Sequence, residues 1–150
     1  MIIRPMTFED LDRVLEIEHA CFSDPWHIST FRIQLMFENA IYVVADDGGK
    51  MLGYAGMLHI VDEGEILNVA VCPNHRQRGA GNALILHLIE IAKQKGAVAL
   101  TLEVRASNTA AKELYKKHRF EDVGLRKEYY KNPTEDAIIM RNTNLQSKSV

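Results

Sequence analysis

A basic turn with two glycines, placed between a predicted strand and a predicted helix, constrains the fold more than any other part of this sequence. The turn runs from Asn74 to Asn82 and reads NHRQRGAGN. It follows the apolar run Ile66–Val71, typical of a buried strand, and precedes the helix-like segment Ala83–Lys93. Glycines let a ligand approach the backbone, and a helix N-terminus presents unpaired N–H groups to an anion. We therefore expect a strand–turn–helix unit that binds an anion.

The spacing Arg76-x-x-Gly79-x-Gly81 narrows the kind of anion. It lacks the G-x-G-x-x-G spacing of dinucleotide sites and the Gly-Lys-Ser/Thr of a P-loop. This favours a pyrophosphate ligand other than a nicotinamide dinucleotide or a nucleoside triphosphate.

The remaining segments predict one α/β domain over residues 1–142, with a mixed central sheet flanked by helices. The predicted strands are Ile2–Arg4, Ile41–Ala45, Met51–Ile60, Glu65–Val71, Val98–Val104, Phe120–Tyr129 and Ala137–Met140. The predicted helices begin at Leu11, cover Ser29–Phe37 and Ala83–Lys95, and run from Asn108 to Lys117. Residues 143–150 form a polar tail that, together with Asn142, we expect to fray.

Composition excludes several classes of protein. The net charge of −2 argues against general nucleic-acid binding, and no apolar run approaches the ~20 residues that cross a bilayer. The N-terminus has no signal-peptide pattern, and the two cysteines, Cys21 and Cys72, have no disulfide or metal spacing. We therefore expect a cytoplasmic protein that binds neither membrane nor nucleic acid, and the six histidines predict no metal site.

Several motifs together resemble the GCN5-related N-acetyltransferase superfamily over the whole ordered chain. Within it, the sequence is most similar to the ribosomal-protein-alanine N-acetyltransferase (RimI) type and to the catalytic subunits of protein N-terminal acetyltransferases. The segments that carry the resemblance are Pro25–Trp26, Asn68–Val71, Arg76–Gly81, Leu102–Asn108, Leu114–Tyr115, Tyr129–Tyr130 and Glu135–Met140.

The resemblance implies acetyl-CoA as the co-substrate, with no metal. The turn would hold the pyrophosphate through Arg76, Gln77, Arg78, Gly79, Ala80, Gly81 and Asn82. The strand would present Val69, Ala70 and Val71 to the pantetheine arm and the acetyl carbonyl, and Asn108 would contact the same arm. Asn108 is also a typical helix N-cap, and the strand residues also suit a plain core.

The resemblance also implies a general base and a general acid. Glu103, near the end of an apolar strand, would accept the amine proton through water, and Glu65 on the neighbouring strand is the competing base. Tyr115, seven residues after Asn108, would contact the cofactor and protonate the CoA thiolate. A solvated strand-end acid and a core tyrosine are the alternative structural interpretations.

Trp26, Phe31, Tyr129 and Tyr130 would wall the groove of the acceptor, although ordinary packing explains the same residues. The implied reaction is direct transfer, in a ternary complex, to the N-terminal α-amine of a protein, either one ribosomal protein or many. An α-amine has a pKa of about 7.7–8.0 against about 10.4 for lysine, which favours it as acceptor. A small-molecule acetyltransferase and a non-catalytic acyl-CoA-binding module are the alternatives, and the need for an auxiliary subunit is open.

One residue departs from the family pattern. Arg119 stands where the family usually has the glycine that ends a helix in a left-handed turn. Either Arg119 adopts that conformation at a cost or the turn differs.

Overall fold

The computed structural model describes residues 1–146 as a seven-stranded sheet with helices on both faces. The strands are β1 (Ile2–Pro5), β2 (Ala40–Asp47), β3 (Lys50–Ile60), β4 (Glu63–Val71), β5 (Ala99–Arg105), β6 (Glu121–Tyr130) and β7 (Glu135–Asn142). The helices are α1 (Leu11–Cys21), α2 (Ile28–Met36), α3 (Ala80–Gln94) and α4 (Thr109–Lys117), with short 3₁₀ turns at Phe8–Asp10 and Pro73–His75. The sheet order is β1-β2-β3-β4-β5-β7-β6, with β4 and β5 parallel and every other pair antiparallel. This confirms the predicted α/β class and mixed sheet.

Apolar side chains pack on both faces of the sheet. On one face, α3 buries Leu84 and Leu88, whose spacing of four residues places them on one side of the helix. On the other face, α1 buries Val14 and Ile17, and α2 adds Phe31. Full burial of such side chains stabilises the fold by about 1.5–3 kcal/mol each. These two layers hold the central strands in place between them.

A β-bulge in β4 exchanges the two faces partway along the strand. Asn68 pairs with Gly56 and Ile66 pairs with Met57, which leaves Leu67 without a partner in β3. Ile66 therefore packs in the α3 layer, whereas Ala70, an even number of residues later, packs in the α1 layer.

The parallel strands β4 and β5 pair only at their beginnings. The register joins Glu63 to Ala99, Gly64 to Leu100 and Glu65 to Thr101, and the recorded pairing ends there. Beyond this point β4 remains paired with β3, and β5 remains paired with β7. The two facing edges are therefore left open as a wedge, and their backbone groups are available to a ligand.

Two helices end in the same hydrogen-bonded turn but use different residues for it. At the end of α3, Gly96 has φ +82° and its N–H donates to the Lys93 carbonyl, while Ala97 N–H donates to the Ala92 carbonyl. At the end of α4, Arg119 has φ +68° and its N–H donates to the Lys116 carbonyl. Both turns are Schellman motifs, so Arg119 adopts the left-handed conformation that glycine normally occupies.

The segment after β7 differs from our expectation that Asn142 and the following residues fray. Asn142 is the last residue of β7, is 4% exposed, and donates to the His118 carbonyl at 2.8 Å. Leu145 is buried in the α3 layer, and the Gln146 amide donates to the Ala97 carbonyl at 2.7 Å. Packing and hydrogen bonds therefore hold the tail as far as Gln146. Residues 147–150, also assigned to the tail, lie outside the described residues.

The other predicted elements are present with ends that shift by a few residues, such as α2, predicted as Ser29–Phe37 and observed as Ile28–Met36. In residues 1–146, no helix combines the length and apolar character needed to cross a bilayer.

Candidate active site

The two predicted bases lie on the same face of the sheet. Glu65 is in register with Thr101, and Glu103 follows Thr101 by two residues, so both carboxylates project from the face opposite to α3. Glu65 is the last β4 residue recorded in the pairing with β5, and its side chain is exposed. Glu103 lies on β5 beyond the last paired position, beside the opening of the wedge.

The two carboxylate oxygens of Glu103 have different surroundings. Oε1 lies 3.2 Å from Nε of Arg126, an arginine on β6 that sequence analysis did not single out. Oε2 is buried and accepts no hydrogen bond from residues 1–146. A buried carboxylate oxygen without a donor is costly unless water or a ligand supplies one. Oε2 is therefore the carboxylate oxygen of Glu103 with unused capacity to accept a proton.

Tyr115 lies on α4 and is almost completely buried against Phe120. Burial, with a smaller contribution from Tyr130, raises the pKa of its phenol above the ordinary value. The hydroxyl is therefore protonated at physiological pH and is a proton donor, as the predicted role requires. Asn108 caps α4, because its side-chain oxygen accepts the Ala111 N–H at 3.1 Å.

The glycine turn has the backbone geometry expected of an anion site. Gln77 and Gly79 have φ of +64° and +83°, and Gly79 is the N-cap of α3. Among the described residues no side chain caps this helix, so its first N–H groups are free of the usual capping partner. A Cβ atom on Gly79 would meet no atom of residues 1–146 within 4 Å, and one on Gly81 would lie 3.5 Å from Leu114. The space above the turn is therefore open to a ligand.

The side chains of the turn divide between internal contacts and solvent. The Arg76 guanidinium donates to the Val71 carbonyl at 3.3 Å, and Asn82 Oδ1 forms a hydrogen bond of 2.7 Å with Nε2 of His118. Arg78 is exposed, whereas Ala80 is buried. On β4, Ala70 is buried in the α1 layer, while Val69 and Val71 are partly buried against the α3 layer. The structure thus brings the predicted phosphate turn and the predicted pantetheine strand together at one end of the wedge.

The predicted aromatic wall is only partly at the surface. Trp26 is partly exposed and its ring lies 5.3 Å from the ring of Phe31. Phe31 was expected in the groove wall, but none of its side chain is exposed, because it packs between Trp26 and the rings of Tyr42 and Tyr54. Phe31 therefore packs against the buried side of the Trp26 ring and does not line the predicted groove.

Tyr129 and Tyr130 lie beside Glu103 with their rings nearly perpendicular and 5.1 Å apart. Burial, and then the neighbouring Glu103 carboxylate, raises the pKa of Tyr129. Burial and the charge of Glu103 raise the pKa of Tyr130 to about 12. Both hydroxyls therefore lie close enough to Glu103 for its charge to affect their pKa values.

Two supporting groups were missed by sequence reasoning, although one lies in a quoted motif. Arg105 donates to the Lys131 and Pro133 carbonyls at 2.9 Å and 3.0 Å, and its guanidinium lies 4.6 Å from the centre of the Tyr130 ring. It thereby fixes the β6–β7 loop. Glu18 is buried, accepts the Trp26 N–H at 2.8 Å, and accepts the Tyr54 hydroxyl. Glu18 interrupts the apolar face of α1, which is the signal that could have found it.

Residues 1–146 contain no cluster of three or more histidine, cysteine or acidic side chains suited to a metal ion.

Comparison with known proteins gives consistent matches over most of the chain. Residues 11–120 match the sequence profile described as Acetyltransferase (GNAT) family. A Bacillus subtilis (strain 168) protein with the provisional name of a ribosomal protein bS18-alanine N-acetyltransferase is 41% identical over 140 residues, covering 92% of each chain. The ribosomal protein bS18-alanine N-acetyltransferase of Escherichia coli (strain K12) is 38% identical over 135 residues, covering 87% of this chain and 89% of its own.

Solved structures agree with these relatives. The crystal structure of the ribosomal-protein-S18-alanine N-acetyltransferase from Escherichia coli has a TM-score of 0.87 at 35% identity, covering 94% of this chain and 92% of that chain. An Arabidopsis thaliana protein crystallised in complex with acetyl-CoA shares the fold, with a TM-score of 0.85 at 19% identity, covering 95% of this chain and 98% of that chain.

Proposed function

Because the chain belongs to the acetyltransferase (GNAT) family, we propose that it transfers the acetyl group of acetyl-CoA to the α-amine at the N-terminus of a protein. The observation that carries this proposal is the buried Oε2 of Glu103, which has no hydrogen-bond partner among residues 1–146 and belongs to a residue beside the open wedge between β4 and β5. An acceptor for a proton thus lies next to a cleft with unpaired backbone edges. These are the two parts that acyl transfer to an amine needs.

In the proposed complex, the glycine turn holds the CoA pyrophosphate. The uncapped N–H groups of α3 supply donors, and the open space at Gly79 and Gly81 lets the anion approach. The facing edge of β4 at Val69–Val71 binds the pantetheine arm and the acetyl carbonyl. Asn108, with its oxygen already engaged as a cap, offers its amide group to the same arm.

The proposed reaction is direct transfer. The neutral form of the acceptor amine attacks the thioester carbonyl, and Glu103 Oε2 accepts the proton that the nitrogen releases, directly or through one water. The C–N bond forms, the C–S bond breaks, and Tyr115 gives its phenol proton to the departing sulfur. Neither cysteine takes part, since Cys72 is buried and Cys21 donates to the Val71 carbonyl. Glu65, exposed on the same face, is the second candidate base.

The proposed acceptor is a protein N-terminus, with an N-terminal alanine of a ribosomal protein as first candidate. The names of relatives at 41% and 38% identity support this acceptor. We place the activity in the cytoplasm, where ribosomal proteins are made. Trp26, Tyr129 and Tyr130 would contact the first residues of the acceptor chain, with Phe31 behind Trp26.

A pair of matched peptides tests the proposal. One has a free N-terminal alanine and no lysine, and the other has the same sequence with a blocked N-terminus and one added lysine. Mass spectrometry after incubation with acetyl-CoA should find acetylation of the first peptide and much less of the second. Transfer to a polyamine but to neither peptide would establish the small-molecule alternative. Activity that appears only after a cell extract is added would show that an auxiliary subunit is required.

A further inference from the structure

We infer that Arg126 keeps the protonated form of the acceptor amine away from Glu103, so that the amine reaches the base in its neutral form. The inference rests on the proposed function and assigns a role to a residue that the predicted mechanism does not use. Arg126 would act through Glu103 and would not touch the reacting atoms. It is therefore a positioning residue, whose charge favours the neutral form of the acceptor amine beside Glu103.

The position of Arg126 supports this role. Its Nε lies 3.2 Å from Glu103 Oε1, and its guanidinium carbon lies 5.9 Å from the centre of the Tyr129 ring. Arg126 is paired with Ala137 of β7, and the regular pairing of β6 is interrupted between Arg126 and Tyr130. The guanidinium therefore extends from the edge strand over the same carboxylate whose second oxygen is unpaired.

The other charged groups around Glu103 do not duplicate Arg126. Glu65 adds a second acid on the same face, and Tyr129 and Tyr130 are neutral at physiological pH because their pKa values are raised. Arg105 is held by Glu135 and by two loop carbonyls. In residues 1–146, Arg126 is the only basic side chain that forms an ion pair with Glu103.

This arrangement affects the two forms of the acceptor differently. An α-ammonium entering the site would share Glu103 with a guanidinium of the same charge, whereas a neutral amine meets no such repulsion. At neutral pH most α-amines are protonated, since their pKa is about 7.7–8.0. An ammonium bound tightly to Glu103 would be an unreactive ground state. Arg126 therefore destabilises the complex that cannot react and leaves the transition state unaffected.

The consequence is a specific kinetic signature for Arg126→Gln. Removal of the guanidinium should let the ammonium bind more tightly, so KM and kcat should fall together, each about two- to fivefold at pH 7, while kcat/KM changes far less. The pH at which kcat reaches half its maximum should rise by about 0.3–0.7 units. Loss of folding or of site geometry would instead lower kcat/KM or raise KM.

Two further variants serve as controls for Arg126→Gln. Arg126→Lys retains the positive charge and should keep both constants near the wild-type values. Lys127→Gln removes the same charge from the next residue, which is exposed and forms no ion pair with Glu103 in the described part of the chain. It should leave kcat, KM and the pH dependence unchanged.

A binding measurement separates this inference from the proposed function. The probe is an alanine peptide with a trimethylated N-terminal nitrogen, a permanent cation that cannot be acetylated. Calorimetry should show it binding two- to fivefold more tightly to Arg126→Gln than to the wild-type protein or Lys127→Gln, at about the strength of one exposed ion pair. Equal binding to all three, or a fall in kcat at constant KM, would overturn the inference. A wild-type protein that acetylates no α-amine while the binding difference persists would overturn only the proposed function.

Discussion

At the scale of residues, the asymmetry of Glu103 distinguishes the two candidate bases. Its Oε1 faces Arg126, and its Oε2 is buried without a donor among residues 1–146. A buried polar atom without a partner costs about 1–3 kcal/mol. Glu65, in contrast, is exposed and solvated. The buried oxygen gains more from an incoming N–H, so we rank Glu103 first.

Glu103→Gln should lower kcat about 10²–10⁴-fold while the KM for acetyl-CoA changes little, because glutamine keeps the shape but cannot accept a proton. Glu65→Gln is the matched control and should be mild. Steady-state kinetics with an alanine peptide measures both. A severe Glu65→Gln with a mild Glu103→Gln would reverse the ranking. Severe loss only in the double variant would indicate that both acids share one chain of waters.

Tyr115→Phe should lower kcat by a similar factor, because phenylalanine keeps the ring and cannot donate a proton. The raised pKa of Tyr115 also predicts the alkaline behaviour of the wild type. An acid whose pKa is raised stays protonated as the pH passes the ordinary tyrosine value of about 10. The kcat of the wild type should therefore rise to a plateau and show no fall between pH 8 and about pH 10. A falling limb in that range that Tyr115→Phe abolishes would contradict this expectation.

Residues whose role depends on their immediate neighbours in sequence were predictable. Asn108 is a helix cap, as its local pattern indicates, whereas α3 begins at Ala80 and not at the predicted Ala83. Arg126 was not predictable, because its contact with Glu103 is made across β7, between two strands that do not pair with each other. Phe31 shows the opposite limit, since an aromatic residue looks the same in sequence whether it lines a groove or supports one.

At the scale of elements, the two Schellman turns provide an internal comparison. The surroundings of the turn after α4 leave it little freedom, because Phe120 is buried and Asn142 donates to the His118 carbonyl. Arg119 thus keeps the left-handed conformation although its Cβ makes that conformation costly. Sequence reasoning identified the unusual residue and left both outcomes open. The choice between them depends on β7, which the local sequence does not reveal.

Arg119→Gly should stabilise the protein by about 0.5–1 kcal/mol, since the relief of left-handed strain exceeds the extra chain entropy of glycine. The melting temperature should rise by about 1–4 °C. Gly96→Ala is the matched control in α3 and should destabilise, because the new Cβ has open space but an unfavourable φ. Thermal unfolding of the three proteins measures both effects. A lower melting temperature for Arg119→Gly would mean that the arginine side chain contributes more than its backbone costs.

At the scale of the whole molecule, two apolar layers enclose a sheet whose central strands, β4 and β5, pair over only part of their length. Pairing between β4 and β5 ends at Glu65 and Thr101, while their outer partners continue. The class of fold and the mixed sheet followed from the order of the elements. The point where the pairing ends could not be predicted, because it depends on contacts across the whole sheet and not on local composition.

Acetyl-CoA should raise the melting temperature, because a ligand that binds only the native state stabilises it by about 2.7 kcal/mol at a hundred times its dissociation constant. NADH and ATP at the same concentration are the controls and should have much smaller effects. Differential scanning fluorimetry measures all three. Equal shifts with ATP and acetyl-CoA would contradict the assignment of the glycine turn to the CoA pyrophosphate.

The bulge at Leu67 shifts the alternation of side chains along β4 by one position. Ile66, an even-numbered residue before the bulge, packs in the α3 layer, whereas Ala70, an even-numbered residue after it, packs in the α1 layer. Deletion of Leu67 would therefore remove the bulge and leave every other side chain of β4 on its present face, because Ile66 and Asn68 already point to opposite layers, as adjacent residues of a regular strand do. Asn68 would keep the Tyr42 hydroxyl that it accepts at 2.9 Å. Deletion of Val69, beyond the bulge, would instead move Ala70 out of the α1 layer.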